Sequence, residues 1–554
     1  MRSATKSSGI SFHHPIAFWI GCALIAAGVF SHGPMLAMGA HMHYRLAGMP
    51  MDTTMLVGMA LIPLGLGLSI YGLMPRLAQM RASLQATGNH AWFHIADRVP
   101  LNRAHWTLVI VLIVALAIDV MKPATLGFVI PGMTVEYDIS KQTAAQLALW
   151  ALVGTTVGSV VWGRLGDLFG RRAAILLSAL MFMATAICGA MPSFEWNLAM
   201  CFLMGASAGG LLPIAFTLMA EAIPAAHRGW LLVALGGVGT SAGYLAAAGA
   251  AALLEPVFSW RSLWLLNLPT GAIILLLNRW IPESPRFLAS QGLENEARAV
   301  LLRFSGAHTS GEARAAIERD VDTAPGAPEI DAPLGVGGLR ALLRGRLAGI
   351  SWGLVVCGLG WGLANFGFVL WLPVNLVKLG IEAKATSALL AGSAVLALPG
   401  IGLVVWLYHR WSAIRTLVLF IALSALALLA FCALAAFEVR SAVAVTLATV
   451  ALLISTSGVI AMLIPYAAEI YPVHYRGTGA GLIAASSKFG GILGAGLGVA
   501  GFFEHFVLSA VLIALPLALS GAMLLRRGIE TRGFRLEDIQ ARLARPTAKA
   551  SPPA

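Results

Sequence analysis

Fourteen long apolar runs limit what this chain can fold into. Each is roughly 18–25 residues long, enough to cross about 30 Å of hydrocarbon as an α-helix. A bilayer offers no water to backbone N–H and C=O groups, so a spanning segment must satisfy them within itself, as a helix does. The runs therefore predict an all-α membrane protein with fourteen transmembrane helices: Pro15–Ala37, Thr54–Leu73, Trp106–Gly132, Ala144–Trp162, Ala173–Met191, Asn197–Ala220, Trp230–Leu254, Ser262–Ile281, Leu347–Leu372, Thr386–Tyr408, Ile414–Phe437, Ala442–Ala467, Gly479–Gly501 and Phe506–Leu525.

Composition agrees with this class. The chain has 554 residues, of which 58% are hydrophobic and only 11% charged, whereas a soluble domain is nearer half apolar and about a quarter charged. The net charge of +12 comes from Arg and Lys between the spans and on the tails, so membrane topology explains it better than nucleic-acid binding does. All five cysteines lie in apolar runs without metal-ligand spacing, and we expect no disulfide framework, metal or cofactor.

The spans fall into groups of two, six and six. Arg-rich segments alternate with short, nearly balanced loops such as Thr134–Thr143, which predicts that both termini and the central loop are cytoplasmic. The first run is too long for a signal-peptide core, so we expect it to be retained. The chain has no N-x-[ST] sequon, which fits a bacterial inner membrane.

The expected boundaries are a two-helix extension (1–105), a six-helix bundle (106–282), a central loop (283–346), a second six-helix bundle (347–527) and a tail (528–554).

An internal repeat supports the six-plus-six division. Residues 221–229 read EAIPAAHRG and residues 469–477 read EIYPVHYRG. Both fit E-x-x-P-x-x-x-R-G, and both follow the fourth predicted span of their half. Parallel repeats related by an axis along the membrane normal are one known plan of secondary transporters.

A short loop between the second and third core spans carries the most specific pattern, GRLGDLFGRR (163–172). Gly163, Gly166 and Gly170 permit a tight turn and close helix approach. Asp167 can cap or pair at a helix end. Arg164, Arg171 and Arg172 are expected at the cytoplasmic surface.

This loop resembles the signature of the major facilitator superfamily. PESPRFL (282–288), GASAGGLLP (205–213) and the paired E-x-x-P-x-x-x-R-G segments resemble its sugar-porter branch, which includes carriers of sugars, aromatic acids, nicotinate and organic cations. The resemblance covers about Trp106 to Arg527. It implies two six-helix bundles around a central cavity that opens alternately to either side.

The resemblance also implies roles for charged residues that latch the cytoplasmic side and are not substrate ligands. In the first half these are Asp167 and the arginines Arg164, Arg171 and Arg172, in a charge relay with Glu221 and Arg228. Their second-half counterparts are Glu469 and Arg476.

Two departures from the family pattern limit this transfer of roles. The second-half copy of the signature loop is reduced to YHRWSAIRT (408–416). Cys201 stands where sugar porters often have an arginine that pairs with an acid of the first core span. A coupling scheme that uses that arginine cannot operate here.

Asp119 and Lys122 lie near the middle of the first core span. An ionisable group at that depth costs roughly 2.5–3.5 kcal/mol on insertion scales and usually marks function. Three residues apart on a helix, the two side chains share one face and can form an ion pair. We expect Asp119 to carry the coupling proton and Lys122 to be its counter-ion. A purely structural ion pair is the alternative.

Other polar residues of the spans are weaker candidates for substrate binding. Gln146 and Thr155 lie in the second core span, and Lys488 in the eleventh. The seventh core span carries Trp361, Asn365 and Trp371, whose rings and amide would suit a small ring-bearing or carboxylated solute. Helix packing, an interfacial aromatic belt and, for Lys488, snorkelling to the cytoplasmic surface are the competing interpretations.

The extension carries a cluster of Met and His residues within Ser31–Met51. Thioether and imidazole ligands suit copper, but the cluster has no fixed four-ligand spacing. A helper role beside the bundle is the alternative.

These observations together predict a secondary transporter of a small organic solute (an organic acid, aromatic compound or sugar), driven by protons and acting by alternating access. An ATP-driven pump is disfavoured because no G-x-x-x-x-G-K-[ST] loop is present, and an enzyme because the core spans hold few clustered catalytic groups. An efflux carrier of drugs or metabolites and a copper- or siderophore-related transporter remain alternatives. The sequence leaves the oligomeric state open.

Overall fold

The computed structural model describes residues 14–73, 97, 99–291, 293–305, 338–344, 347–369, 372, 393, 399–437, 441–500, 502 and 505–544. These residues are helical wherever they are regular. We number the α-helices in chain order: α1 Pro15–Phe30, α2 Gly33–Gly39, α3 Thr53–Leu73, α4 Arg103–Glu136, α5 Lys141–Phe169, α6 Arg171–Ala184, α7 Phe194–Ala222, α8 Ala225–Phe258, α9 Arg261–Leu265, α10 Asn267–Leu277, α11 Pro285–Ser290, α12 Glu294–Ser305, α13 Gly338–Arg344, α14 Ala348–Gly362, α15 Ala413–Ala436, α16 Ala442–Ile470, α17 Arg476–Val499, α18 Phe506–Arg527 and α19 Leu536–Ala544.

Twelve helices within the described ranges are long and apolar enough to cross a membrane. They are α1 with α2, α3, α4, α5, α6, α7, α8, α14 with its π-helical continuation, α15, α16, α17 and α18. The predicted span Ser262–Ile281 is present as α9, α10 and a 3₁₀ turn, interrupted at Leu266. Most of the predicted span Thr386–Tyr408 lies outside the described residues. The described chain therefore shows twelve of the fourteen predicted spans as long helices.

Local sequence explains where several helices begin. The Asn102 side chain accepts hydrogen bonds from the first amides of α4 and forms a capping box with His105. Ser140, Ser193 and Ser412 cap α5, α7 and α15 in the same way. These side chains satisfy N–H groups that a helix start leaves without a partner.

The first half of the core comprises α4–α10 and the second half α14–α18 together with the helical residues 399–410. Most buried apolar side chains of the first half form clusters separate from that of the second half. The halves meet where α5 packs against α17, α7 against α16 and α17, and α8 against α16. The GRLGDLFGRR loop lies at one end of the bundle, beside the start of α17. We call this end the motif end.

Helices α5 and α7 approach so closely that their backbones touch. A Cβ atom added at Gly154, Gly158, Gly205 or Gly209 would meet backbone atoms of the facing helix. Small residues at such an interface let van der Waals contacts between backbones replace the hydrophobic effect, which does not drive helix association in lipid.

The two extension helices α1 and α3 pack on each other and on α6. Their connecting loop docks at the end of the bundle opposite the motif end, where Glu136 accepts hydrogen bonds from the amides of Leu46 (2.7 Å) and Ala47 (3.1 Å). Glu136 also forms an ion pair with Arg261 at 2.6 Å. The extension is thus fastened to the first half.

The Met and His residues of this loop are divided between its interior and its surface. Met35 and Met55 are buried with Leu46 in a small apolar cluster, and the ring of buried His32 contacts the Gly28 carbonyl oxygen through Nδ1 at 2.9 Å. His41 and His43 are exposed. Within the described ranges no group of three or more His, Cys, Asp or Glu side chains could hold a metal ion.

We expect opposite effects of one added methyl group at two helical glycines. Gly158→Ala places a Cβ against the Ala206 carbonyl group and should destabilise the protein by about 1–3 kcal/mol through overpacking. Gly249→Ala on α8 meets nothing within 4 Å and should be neutral or stabilising by up to about 1 kcal/mol, because Ala favours helix. Thermal unfolding of both purified variants measures the difference. Equal melting temperatures would contradict the close α5–α7 contact.

Candidate functional site

The predicted charge pair lies buried within α4. Lys122 Nζ is 3.6 Å from Asp119 Oδ1, and both side chains are almost fully buried. Phe182 of α6 presents its ring to the ammonium group, with the centroid 2.9 Å from Nζ. Asp119 Oδ1 has no hydrogen-bond partner among the described residues. The carboxylate therefore retains an acceptor position for a proton or a ligand.

Lys488 of α17 reaches the same region from the second half. It interacts electrostatically with Asp119, and its Nζ lies 5.7 Å from the centroid of the Phe366 ring. Phe366 belongs to the π-helical segment Leu363–Val369 that continues α14. A π-helical insertion is uncommon and is often found at functional sites. Lys488 of the second half thus lies within electrostatic range of the Asp119–Lys122 pair of the first half.

The other predicted binding residues have different environments. Trp361 is buried, donates a hydrogen bond to the Thr456 carbonyl oxygen (2.8 Å) and meets Phe366 edge to face. Asn365 is half-buried in the π-helical segment, whereas Gln146 is exposed on α5. Thr155 is buried and bonds within its own helix, and Trp371 lies outside the described residues. Trp361 and Asn365 share the Phe366 region with Lys488, and the structure gives Gln146 and Thr155 no comparable link.

At the motif end, Glu221 is shared by arginines from both halves. Arg171 binds it through two hydrogen bonds of 3.0 Å, and Arg476 donates another of 2.8 Å. All three side chains are buried. Two parallel N–H···O bonds give an arginine–carboxylate pair both strength and fixed geometry.

Asp167 adds a second contact between the halves. Its carboxylate forms an ion pair with Arg171 at 3.3 Å. It also accepts hydrogen bonds from the amides of Gly477 (2.9 Å) and Thr478 (2.7 Å) at the start of α17, where the helix dipole favours a negative charge. We call Asp167, Arg171, Glu221 and Arg476 the Glu221 cluster. It joins the two halves at the motif end.

The three glycines of the signature loop have different local roles. Gly163 faces Gly477 and Gly481 of α17 so closely that an added Cβ would lie 3.2 Å from Gly481 Cα. Gly170 has φ +104° between α5 and α6, a conformation that glycine adopts without strain. A Cβ at Gly166 would make only ordinary contacts, the nearest at 3.6 Å.

The expected relay differs from the structure at Arg228, which pairs with Asp97 at 2.5 Å. Glu469, the second-half counterpart of Glu221, accepts hydrogen bonds from Tyr408 and Thr531. Glu221 forms an ion pair with Arg476 because α7 and α17 meet across the interface between the halves. The sequence repeat alone does not reveal that contact.

The remaining signature arginines lie at the edge of this cluster. The Arg172 side chain donates to Asn278 Oδ1 at 2.7 Å, and Arg164 is half-buried. Glu283 accepts hydrogen bonds from the amides of Arg171 (2.8 Å) and Arg172 (3.2 Å) at the start of α6. Burial raises the pKa of Glu283, although these amides and Arg171 oppose the shift.

Four charged residues outside the predicted set complete the motif end: Asp97, Glu283, Arg286 and Glu537. Glu283 and Arg286 are part of the PESPRFL motif, but the sequence analysis assigned them no role. Arg286 donates to Asp97 (2.8 Å) and to Glu537 of α19 (2.9 Å). No motif marked Asp97 or Glu537.

The contact of Glu537 with Arg286 depends on pH in a defined direction. Burial alone would raise the pKa of Glu537, but the Arg286 guanidinium outweighs it and lowers the pKa below its ordinary value. A carboxylate whose pKa is lowered by folding stabilises the fold above its ordinary pKa and loses that effect as the pH falls through the lowered value. The contact is therefore fully formed at neutral pH.

Comparisons with known proteins agree with this architecture. A family profile described as Major Facilitator Superfamily matches residues 107–495. The niacin transporter NiaP of Acinetobacter baylyi is 28% identical over 461 residues, which cover 80% of this chain and 98% of the relative. The 4-hydroxybenzoate transporter PcaK of Pseudomonas aeruginosa is 28% identical over 445 residues, covering 78% and 94%.

A solved structure shares the fold. The proton:xylose symporter XylE, bound to 6-bromo-6-deoxy-D-glucose, superposes with a TM-score of 0.64 at 16% identity and covers 79% of this chain and 99% of that one. The family profile spans well over half of the chain, and the curated relatives are transporters rather than enzymes. This protein belongs to the major facilitator superfamily and is a membrane transporter of a small organic solute.

Proposed function

We propose that the protein is a proton-coupled symporter of a small aromatic carboxylate. The observation that carries the proposal is the charge balance of the buried site, in which Lys122 and Lys488 together oppose a single acid, Asp119. With all three groups ionised the site has one unbalanced positive charge. A buried charge of this kind is costly unless it is paired, so an anionic solute would complete the site.

Aromatic groups favour a ring-bearing anion. Phe182 lies beside Lys122, and Phe366 lies beside Lys488. The relatives named for niacin and 4-hydroxybenzoate support the same class. A carboxylate bound between the lysines would weaken the hold of Lys122 on Asp119 and free Asp119 to take up the coupling proton.

The signature loop supports alternating access. Asp167, Arg171, Glu221 and Arg476 bind one half to the other at the motif end, and these contacts must break for that end to open. Gly163 lets the backbones meet, and Gly170 forms the turn. Arg164, Arg172, Arg228 and Glu469 support the surrounding segments. These residues would act as the gate.

We propose fourteen membrane spans with both termini in the cytoplasm. Fourteen spans, with the two N-terminal helices outside the six-plus-six core, fit the twelve long helices, the interrupted α9–α10 segment and the partly described eighth core span. The Arg-rich motif end would face the cytoplasm. Bacterial relatives support an inner-membrane location.

Asp119→Asn should abolish proton-driven accumulation of 4-hydroxybenzoate or nicotinate while sparing exchange of internal for external solute. The amide cannot carry the proton but nearly keeps the shape of the side chain. Proteoliposomes with and without an imposed pH gradient measure both modes. Uphill uptake at the wild-type level would contradict the proton-carrier role of Asp119.

Lys488→Gln should raise the KM for the aromatic acid about tenfold or more, since a hydrogen bond to a charged group contributes about 1.5–3 kcal/mol. Lys488→Arg keeps the charge and should retain most of the affinity. Concentration-dependent uptake by both variants measures the effect. If the two variants have the same KM, the positive charge of Lys488 does not bind the substrate.

Gly163→Ala and Gly166→Ala form a matched pair that tests the gate. The methyl group at Gly163 would push α17 away and should increase hydrogen–deuterium exchange of the Gly477 and Thr478 amides, which are bonded to Asp167. The methyl group at Gly166 has room and should leave this exchange unchanged. Mass spectrometry of peptides spanning 476–480 measures the exchange, and equal rates in the two variants would contradict the role of Gly163.

A further inference from the structure

Asp97 is a buried carboxylate in the segment that joins the extension to the core. Its two oxygens bind different arginines: Oδ1 accepts from Arg228 (2.5 Å) and Oδ2 from Arg286 (2.8 Å). All three side chains are almost fully buried. The residue lies before the part of the chain that the family profile matches, which begins at residue 107.

Both of these arginines also reach the C-terminal tail. Arg286 donates from Nε to Glu537 Oε1 (2.9 Å) and from Nη1 to the Glu221 carbonyl oxygen (2.6 Å). Arg228 donates to the Phe534 carbonyl oxygen at 3.3 Å. A single carboxylate therefore lies between two side chains that contact the tail, Arg228 on α8 of the first half and Arg286 on α11 of the central loop.

The tail itself is fastened to the second half. The Tyr466 hydroxyl donates to the Ile529 carbonyl oxygen (2.7 Å), and the Thr531 hydroxyl donates to Glu469 (2.6 Å). Gln540 of α19 donates to the Ile470 carbonyl oxygen (2.5 Å). The contact of Arg228 with the tail thus joins the first half to the second, and Arg286 adds a link from α11, which binds the Glu221 carbonyl oxygen of the first half.

We propose that Asp97 is a positioning residue of the motif-end gate, which holds Arg228 and Arg286 in the geometry that binds the tail and so makes the N-terminal extension part of the closing mechanism. The proposal rests on the alternating-access function proposed above. Asp97 touches neither the Asp119 site nor the Glu221 carboxylate, and it acts through the two arginines.

The electrostatics explain why a carboxylate is needed at this position. Two buried guanidinium groups repel each other, and removing one partner of a buried ion pair leaves an uncompensated charge. Without Asp97 the arginines should separate, and the tail should lose its contacts with Arg228 and Arg286. When the motif end opens, the tail contacts must break while Asp97 stays with the first half, to which Glu136 fastens the extension at the opposite end.

Hydrogen–deuterium exchange of the full-length protein, without substrate or proton gradient, tests this inference. Exchange reports local opening of individual segments. Asp97→Asn should accelerate exchange in α19 by about tenfold, which corresponds to about 1.4 kcal/mol of opening free energy, and should also accelerate exchange at Gly477 and Thr478. Exchange in α9 should not change, because that helix lies beside Glu136 at the end of the bundle opposite the motif end.

Two further variants separate positioning from a general loss of structure. Asp538→Asn is the matched control for Glu537→Gln: it removes one negative charge from the first turn of α19 at a half-exposed residue, and it should accelerate exchange less than Glu537→Gln does. Glu537→Gln should accelerate exchange of α19, and the double variant Asp97→Asn/Glu537→Gln should be no faster than the faster single variant, because both changes break one chain of contacts.

Asp97→Glu keeps the charge but moves it by one methylene, and its exchange should lie between those of the wild type and Asp97→Asn. This variant decides the matter if Asp97→Asn does not fold. Wild-type exchange of α19 in folded Asp97→Asn, or strictly additive effects with Glu537→Gln, would overturn the inference. Failure of every aromatic acid to be transported would refute the proposed substrate without affecting this result.

Discussion

The contact between the halves at the motif end depends on one buried carboxylate, Glu221, which binds an arginine from each half. Arg171 and Arg476 would both be costly to bury without it, and Glu221 would be costly without them. The shared pair therefore favours the halves staying together at this end. Asp167 adds hydrogen bonds to the start of α17. Because these contacts are few and directional, they would break together in the gate opening that we propose.

A different balance operates in the middle of the bundle. There Asp119 and Lys122 neutralise each other within one helix, and Lys488 approaches from the other half without a second acid among the described residues that interact with it. The Glu221 cluster contains two acids and two arginines, whereas the central site has two lysines for one aspartate. This contrast explains why we assign the Glu221 cluster to conformation and the Asp119 site to the solute and the proton.

The N-terminal extension has specific contacts with the first half. It packs on α6, and its loop binds Glu136 at one end of the first half. The segment that follows places Asp97 between two arginines at the other end. An element fastened at both ends of one half should move with that half. The tail, bound to Tyr466 and Glu469, should move with the other half.

The sequence alone determined the class of protein, most of the spans and the residues of the signature loop, because the cost of exposing a polar backbone or a charge to lipid acts locally along the chain. It also placed Asp119 beside Lys122, since residues three positions apart on one helix are neighbours in any fold. Only the tertiary structure decided the partners of the remaining charges. Arg476 meets Glu221 rather than Glu469, and Arg228 meets Asp97, because pairing across helices depends on packing between segments that are distant in sequence. No local pattern encodes those distances, and for that reason Asp97 and Glu537 were missed.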